Sequence, residues 1–374
     1  MQGLKNIADD HRNVAHEHKK IAQDEAKRQS SDRENECLQL FRLTGSDKDT
    51  TYESYKAQVE ARVEGTCTWV LNHRNFSIWL AQDSGPLLIS ADPGCGKSVL
   101  AKYLVDDVLC KDSTICYYFF RDQDQNTVRQ LLCAVLHQLF CKSPALIKHA
   151  IGAFEKNGNK LINSTVSLWS ILSNVLQDPE AGKVILVMDA LDECLNPELN
   201  KLLCGLGRQY LDCTESGTKV KYIFTTRPYE QILLGFKRNF NDASTICIPG
   251  EEESDTISQE VNLVIQYRVE RLAREMDLKD GLKERLTQEL LEVSHRTYLW
   301  VHLVFNFLQT KRFKKTKDGI TSAARTLPKS VNAAYNQILS RSDDESMVRK
   351  ALTIILAAER PLTLGEINAA MGIN

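Results

Sequence analysis

The most specific chemistry in the chain lies in eight residues, Ala91-Asp-Pro-Gly-Cys-Gly-Lys-Ser98. Except for Ala91 in the first place, the run fits Gly-x4-Gly-Lys-Ser/Thr, in which a turn between a strand and a helix cradles phosphate oxygens. The residue types follow from that task. Gly94 and Gly96 let backbone N–H groups turn inward with no Cβ in the way. The helix expected to start at Ser98 adds unpaired N–H groups and its dipole. Lys97 is then suited to bridge a β- and a γ-phosphate, and the Ser98 hydroxyl to ligate Mg2+. Ala91 matters only if the turn needs a positive φ at that place. Cys95 offers a redox-sensor alternative, but it occupies a variable position of the pattern. The expected nucleotide-contacting set is Ala91, Asp92, Pro93, Gly94, Cys95, Gly96, Lys97, Ser98 and Val99.

Two later segments carry complementary charge. Val184-Ile-Leu-Val-Met-Asp189 reads as an apolar strand that delivers a carboxylate to the carboxyl edge of a parallel sheet, where such sheets bind ligands. There Asp189 would hold the Mg2+ ion together with Ser98, through water. Asp192 and Glu193 follow three and four residues on, and either could orient or deprotonate an attacking water; Glu193 is the first choice. On the next strand, Lys221-Tyr-Ile-Phe-Thr-Thr-Arg227-Pro228 brings Thr225, Thr226 and Arg227 to the same edge. Arg227 would sense the γ-phosphate or stabilise charge during transfer, the alternative being an ion pair with a nearby acid. Asp189, on the strand expected beside the phosphate-binding one, should face the turn.

The elements needed to position these groups are legible in the pattern. Short runs at 86–90, 114–119, 184–188, 220–225 and 244–248 are apolar, β-branched or aromatic, as strands are. Helical stretches at 127–140, 143–156, 165–177 and 197–210 separate them. Such alternation implies right-handed crossovers and a five-stranded parallel sheet covered on both faces, an α/β core. Before it, residues 51–84 read as a helical lead-in, and residues 1–50 as a polar helical arm. Beyond Gly250 the chain reads as all helix: 256–276, 280–293, 298–311, 331–340, 346–358 and a last short one from Thr363 to Met371. The division expected is 1–50, 51–84, 85–250, 251–330 and 331–374.

Composition excludes several classes. The 374 residues carry 47 Lys plus Arg against 49 Asp plus Glu, a balance unsuited to a surface built to neutralise nucleic-acid phosphates. No apolar run approaches the ~20 residues of a membrane span. The 11 cysteines include no Cys-x-x-Cys pair, which argues against a zinc module or a secreted disulfide framework and for a reducing setting, cytoplasmic or nuclear. The basic run at 311–317 reads as a helix C-terminus favoured by the dipole, with a nuclear-localisation or lipid patch as the alternative. His295 and His302 read as structural, since no Cys or acidic partner has ligand spacing.

Taken together, Gly65-Thr-Cys-Thr-Trp-Val70, Ala91–Ser98, Met188-Asp-Ala-Leu-Asp-Glu-Cys194 and Thr225-Thr-Arg-Pro228 resemble a NACHT domain of the STAND-class P-loop NTPases. The likeness is to fungal vegetative-incompatibility-type proteins and to the nephrocystin-type NTPase module, from about Cys37 onward. Ala190 before an Asp-Glu pair resembles that family's modified Walker B. Thr297-Tyr-Leu-Trp-Val301 is similar to the segment with which relatives pack a helical domain against the nucleotide, although it lacks their Gly-x-Pro. Leu356 to Met371 resembles the opening of a winged helix that the chain's end truncates.

The resemblance implies a conformational switch run by ATP or GTP with Mg2+, resting with diphosphate and self-associating with triphosphate. Protein partners would dock through the N-terminal arm or through C-terminal sensor repeats beyond this chain. Two other readings stay open: a catalytically idle interaction module stabilised by nucleotide, and a small-molecule phosphotransferase, for which no acceptor lid or base motif is visible.

Overall fold

The computed structural model describes residues 31–42, 51–110, 112–122, 124–240, 243–248, 255–293, 297–310, 327, 328, 330–340, 342, 344–359 and 362–373. Most of the predicted N-terminal arm, the basic run at 311–317 and His295 lie outside the described residues; residues 31–41 are helical. The chain divides into two compact units. One comprises residues 1–62, 69–91 and 97–248; the other comprises 63–68, 92–96 and 249–374.

The first unit is built on five parallel strands: β1 (Gly85–Ala91), β2 (Thr114–Phe119), β3 (Val184–Asp189), β4 (Val220–Thr226) and β5 (Ser244–Ile248). All five fall where the alternation of apolar runs and helical stretches predicts them. Every residue of β1 and β3 is buried, as strands covered on both faces must be, whereas the edge strands β2 and β5 keep half-buried positions. The order across the sheet is β2-β3-β4-β1-β5.

That order corrects one expectation. The acid-bearing β3 is not the neighbour of β1; β4 intervenes, with Met188 beside Phe224 and Ile89 beside Thr225. A local pattern reveals that a segment is a buried strand, but lateral order depends on where each crossover lands, which no single segment encodes.

Besides the helix at 31–41, the longer helices of this unit are α1 (Tyr52–Gln58), α2 (Arg74–Ala81), α3 (Lys97–Tyr103), α4 (Val128–Lys142), α5 (Lys148–Asn157), α6 (Thr165–Gln177), α7 (Asn196–Glu215) and α8 (Glu230–Asn239). A capping box, Thr127 with Gln130, starts α4, which packs on β2 and buries Leu131, Leu132, Leu136 and Leu139. Two predicted helices differ in detail. The 143–156 stretch opens with a 3-10 turn at Pro144–Ile147 before α5. The helix after the glycine-rich turn starts at Lys97, one residue earlier than predicted. Past Tyr103 it widens into a π-turn, where Leu109 N–H reaches the Leu104 carbonyl at 2.9 Å.

The second unit is helical, with α9 (Asp255–Met276), α10 (Asp280–Leu291), α11 (Tyr298–Thr310), α12 (Val331–Leu339), α13 (Glu345–Ala357) and α14 (Leu364–Met371). Val261, Ile265, Val269, Leu286, Leu290, Val304 and Phe305 form its buried interior. Trp300 is wholly buried there, and its indole N–H donates to the Pro328 carbonyl at 2.7 Å. Among the described residues no helix is long and apolar enough to cross a membrane.

Candidate functional site

β1 ends at Ala91, which pairs with Ile248 and is buried without a positive φ. Alanine therefore meets the needs of that place, and the departure from Gly-x4-Gly-Lys-Ser is harmless. The positive φ values come later, at Gly94 (+80°) and Gly96 (+76°), where glycine is required for the backbone to turn. Asp92, Pro93 and the buried Cys95 complete the turn, and α3 opens with Lys97, Ser98 and Val99. The Lys97 ammonium donates to the Ala91 carbonyl at 2.7 Å, so the lysine lies back along the strand end.

Asp189 closes β3 and is almost wholly buried. It accepts a hydrogen bond from the Thr225 hydroxyl at 2.5 Å, and the nearby Ser98 hydroxyl also favours its ionised form. Burial pushes its carboxyl above the ordinary carboxylate range, opposed by those two hydroxyls and by the Lys97 charge. Thr225 bridges the two acidic-strand positions, since its oxygen also accepts the Ala190 N–H at 2.9 Å. The intervening strand β4 thus ties the end of β3 to itself through one hydroxyl. Ala190 sits in the left-handed region, at φ 56°, a conformation that costs a residue with a Cβ.

The two acids beyond it differ in circumstance. Both Asp192 oxygens engage Arg227: Oδ1 accepts its backbone N–H at 3.0 Å, and Oδ2 its Nε at 3.1 Å, with the Asp192 side chain only 4% exposed. Glu193 Oε2 accepts the Asp122 N–H at 3.0 Å. Burial raises the Glu193 carboxyl above its usual range, with the charges of Asp192 and Asp189 adding to the rise. Asp122 N–H and Arg227 hold it down in part.

Lys97, Ser98, Asp189, Thr225, Asp192, Glu193 and Arg227 are thus gathered by the carboxyl ends of β3 and β4 and the start of α3. Ser98 and Asp189 offer only oxygen donors, the set that a small hard divalent cation takes. Among the described residues, no group of three His, Cys, Asp or Glu is arranged to hold a metal alone, so a Mg2+ here would draw its remaining oxygens from phosphate and water. The residues fit a magnesium nucleotide. Asp122, whose N–H holds Glu193, is a loop residue without a motif, and nothing local in the sequence signals the contact. Thr225 was foreseen at the sheet edge, but its partnership with Asp189 was not.

Residues 65–227 match the family model described as Nephrocystin 3, N-terminal. Residues 257–327 match a second family model, described as a domain of unknown function. The chain is 27% identical over 383 residues to the vegetative incompatibility protein HET-E-1 of Podospora anserina, covering 97% of this chain and 27% of that protein. It therefore spans well under a third of the length of that curated relative. Together these matches support a nephrocystin-type module over residues 65–227. Among solved structures, Cdc6p from Pyrobaculum aerophilum is similar at a TM-score of 0.44 and 12% identity, covering 88% of this chain and 84% of that one. A Walker-type ATPase of Pyrococcus abyssi is similar at 0.42 and 14%, covering 80% and 86%. At TM-scores below 0.5, these two likenesses carry no functional weight.

Proposed function

We propose that this nephrocystin-type module binds ATP or GTP with Mg2+ and acts as a nucleotide-dependent conformational switch that hydrolyses its ligand slowly. The observation that carries the reading is the Ser98–Asp189–Thr225 cluster at the end of a Gly-x-Gly-Lys-Ser turn. A buried carboxylate with a raised affinity for protons is an unfavourable thing to keep in a sheet, and a cation beside it would offset that cost.

In this reading the turn from Ala91 to Val99 holds the phosphates, with Lys97 on the β- and γ-groups and Ser98 and Asp189 on Mg2+. Bound Mg2+ neutralises charge on the phosphate oxygens. Glu193, the acid not committed to Arg227, orients or deprotonates the attacking water. Asp192 acts through Arg227, holding its guanidinium where charge develops. Residues 85–250, 251–330 and 331–374 correspond to the NTPase core, a helical domain and the opening of a winged helix. Triphosphate-dependent self-association, and protein partners reached through the N-terminal arm or through sensor repeats of a longer chain, complete the switch.

The test is phosphate release from ATP and GTP by purified protein, with and without Mg2+. Slow Mg2+-dependent release that disappears in Lys97→Ala and Glu193→Gln supports the switch. Nucleotide binding without release leaves an idle, nucleotide-stabilised interaction module. Phosphate transfer to an added metabolite in place of water overturns both.

A further inference from the structure

The second unit contains a carboxylate with an unusual set of partners. Glu260, on α9, is 5% exposed and accepts four hydrogen bonds. Its Oε2 takes the Cys67 N–H at 2.7 Å and the Tyr298 hydroxyl at 3.0 Å. Its Oε1 takes the Thr68 N–H at 3.0 Å and the Thr68 hydroxyl at 3.2 Å. Cys67 is one of three described non-glycine residues with a positive φ, at 62°. Such a backbone persists where its surroundings over-determine it, and Glu260 does so here.

Tyr298 connects this hub to the glycine-rich turn, which belongs to the same unit. A Cβ built on Gly96 would lie 3.3 Å from the Tyr298 ring, and one built on Gly94 would lie 2.5 Å from the Leu299 Cβ. The two glycines whose positive φ values shape the turn are therefore also the places where the first residues of α11 press against it. Nothing in the phosphate-binding pattern requires that second contact.

Resting on the nucleotide reading, we propose that Glu260 and Tyr298 are positioning residues of the phosphate-binding turn. Glu260 fixes the Tyr298 ring against Gly96 and ties the turn to the 66–68 backbone, so the turn's shape, and with it nucleotide affinity, depends on this clasp.

Two readouts test it in full-length Glu260→Gln, Tyr298→Phe and Tyr298→Ala proteins, with circular dichroism and melting temperature as the check on folding. The first uses no nucleotide. Cys95, in the turn, is buried, whereas Cys110 and Cys204 are exposed. Maleimide labelling of Cys95 relative to those two, read by peptide mass spectrometry, reports opening of the turn. Losing bonds to a charged group should raise the Cys95 rate about tenfold or more in Glu260→Gln and Tyr298→Ala. Tyr298→Phe keeps the ring and should raise it less. The second readout is affinity for fluorescent ATP and GTP, measured on the folded fraction and expected to fall about tenfold in Glu260→Gln and Tyr298→Ala. A merely structural role would lower the melting temperature and leave the affinity of the folded fraction intact. Unchanged Cys95 labelling and affinity within about twofold of the unmodified protein, in folded variants, overturn the proposal. If Glu260→Gln fails to fold, Tyr298→Phe against Tyr298→Ala decides by the same readouts. Failure of the unmodified protein to bind nucleotide sinks the functional reading, and the labelling result then judges the clasp alone.

Discussion

Thr225→Val removes one hydroxyl and almost no volume, and the structure gives its consequence. That hydroxyl donates to Asp189 at 2.5 Å and accepts the Ala190 N–H at 2.9 Å, in a side chain with no solvent exposure. Losing a hydrogen bond to a charged partner costs about 1.5–3 kcal/mol, and leaving a buried N–H unsatisfied costs about 1–3 kcal/mol. One hydroxyl serves both, so the terms do not simply add, and about 3–4 kcal/mol is expected. The sign of the pH dependence follows from Asp189. Its native affinity for protons is already raised by burial, so the protonated form contributes stability below the ordinary carboxylate range. That stability is lost as pH rises through its raised native value. Removing a donor to the ionised form raises that value further, so the deficit is largest at neutral pH and shrinks as the pH falls. Amide exchange of β3 and β4 in increasing urea, measured near pH 7 and at steps down into the ordinary carboxylate range, reads the local stability directly. A deficit below about 0.5 kcal/mol at neutral pH, or one that does not diminish in acid, would refute this reasoning.

Lys97→Ala should weaken Mg-nucleotide binding by about 10- to 100-fold in calorimetry, the worth of a hydrogen-bonded charge on phosphate. Ala190→Gly should stabilise the nucleotide-free protein by about 0.5–1 kcal/mol in urea unfolding, the relief of a left-handed alanine less glycine's extra unfolded-state entropy. Hydrolysis that uses Glu193 as a base requires its carboxylate. Because burial raises its proton affinity, the rate should climb with pH through a midpoint above that of an ordinary glutamate, and Glu193→Gln should abolish this limb.

Much of the sheet was legible because central parallel strands must be apolar along their whole length, as Val184 to Met188 and Tyr222 to Phe224 are. The glycine-rich turn was legible because its chemistry restricts residue type at fixed spacing. The lateral place of β4 was not, and with it the role of Thr225, since crossover landing is a property of the packed sheet. The same holds for Glu260, which meets Cys67 and Thr68 across more than 190 residues of sequence. A buried glutamate on an amphipathic helix looks, in sequence, like any solvated one. Ala190 stands out in sequence beside the Asp-Glu pair, but only the backbone reveals its positive φ.

The most direct measurement is isothermal titration of ATP and of GTP into the folded protein, with Mg2+ and then with chelator. The account predicts saturable one-to-one binding of at least one of the two, weakened by chelation and by Lys97→Ala. No heat with either nucleotide, or binding indifferent to both Mg2+ and Lys97, would contradict it.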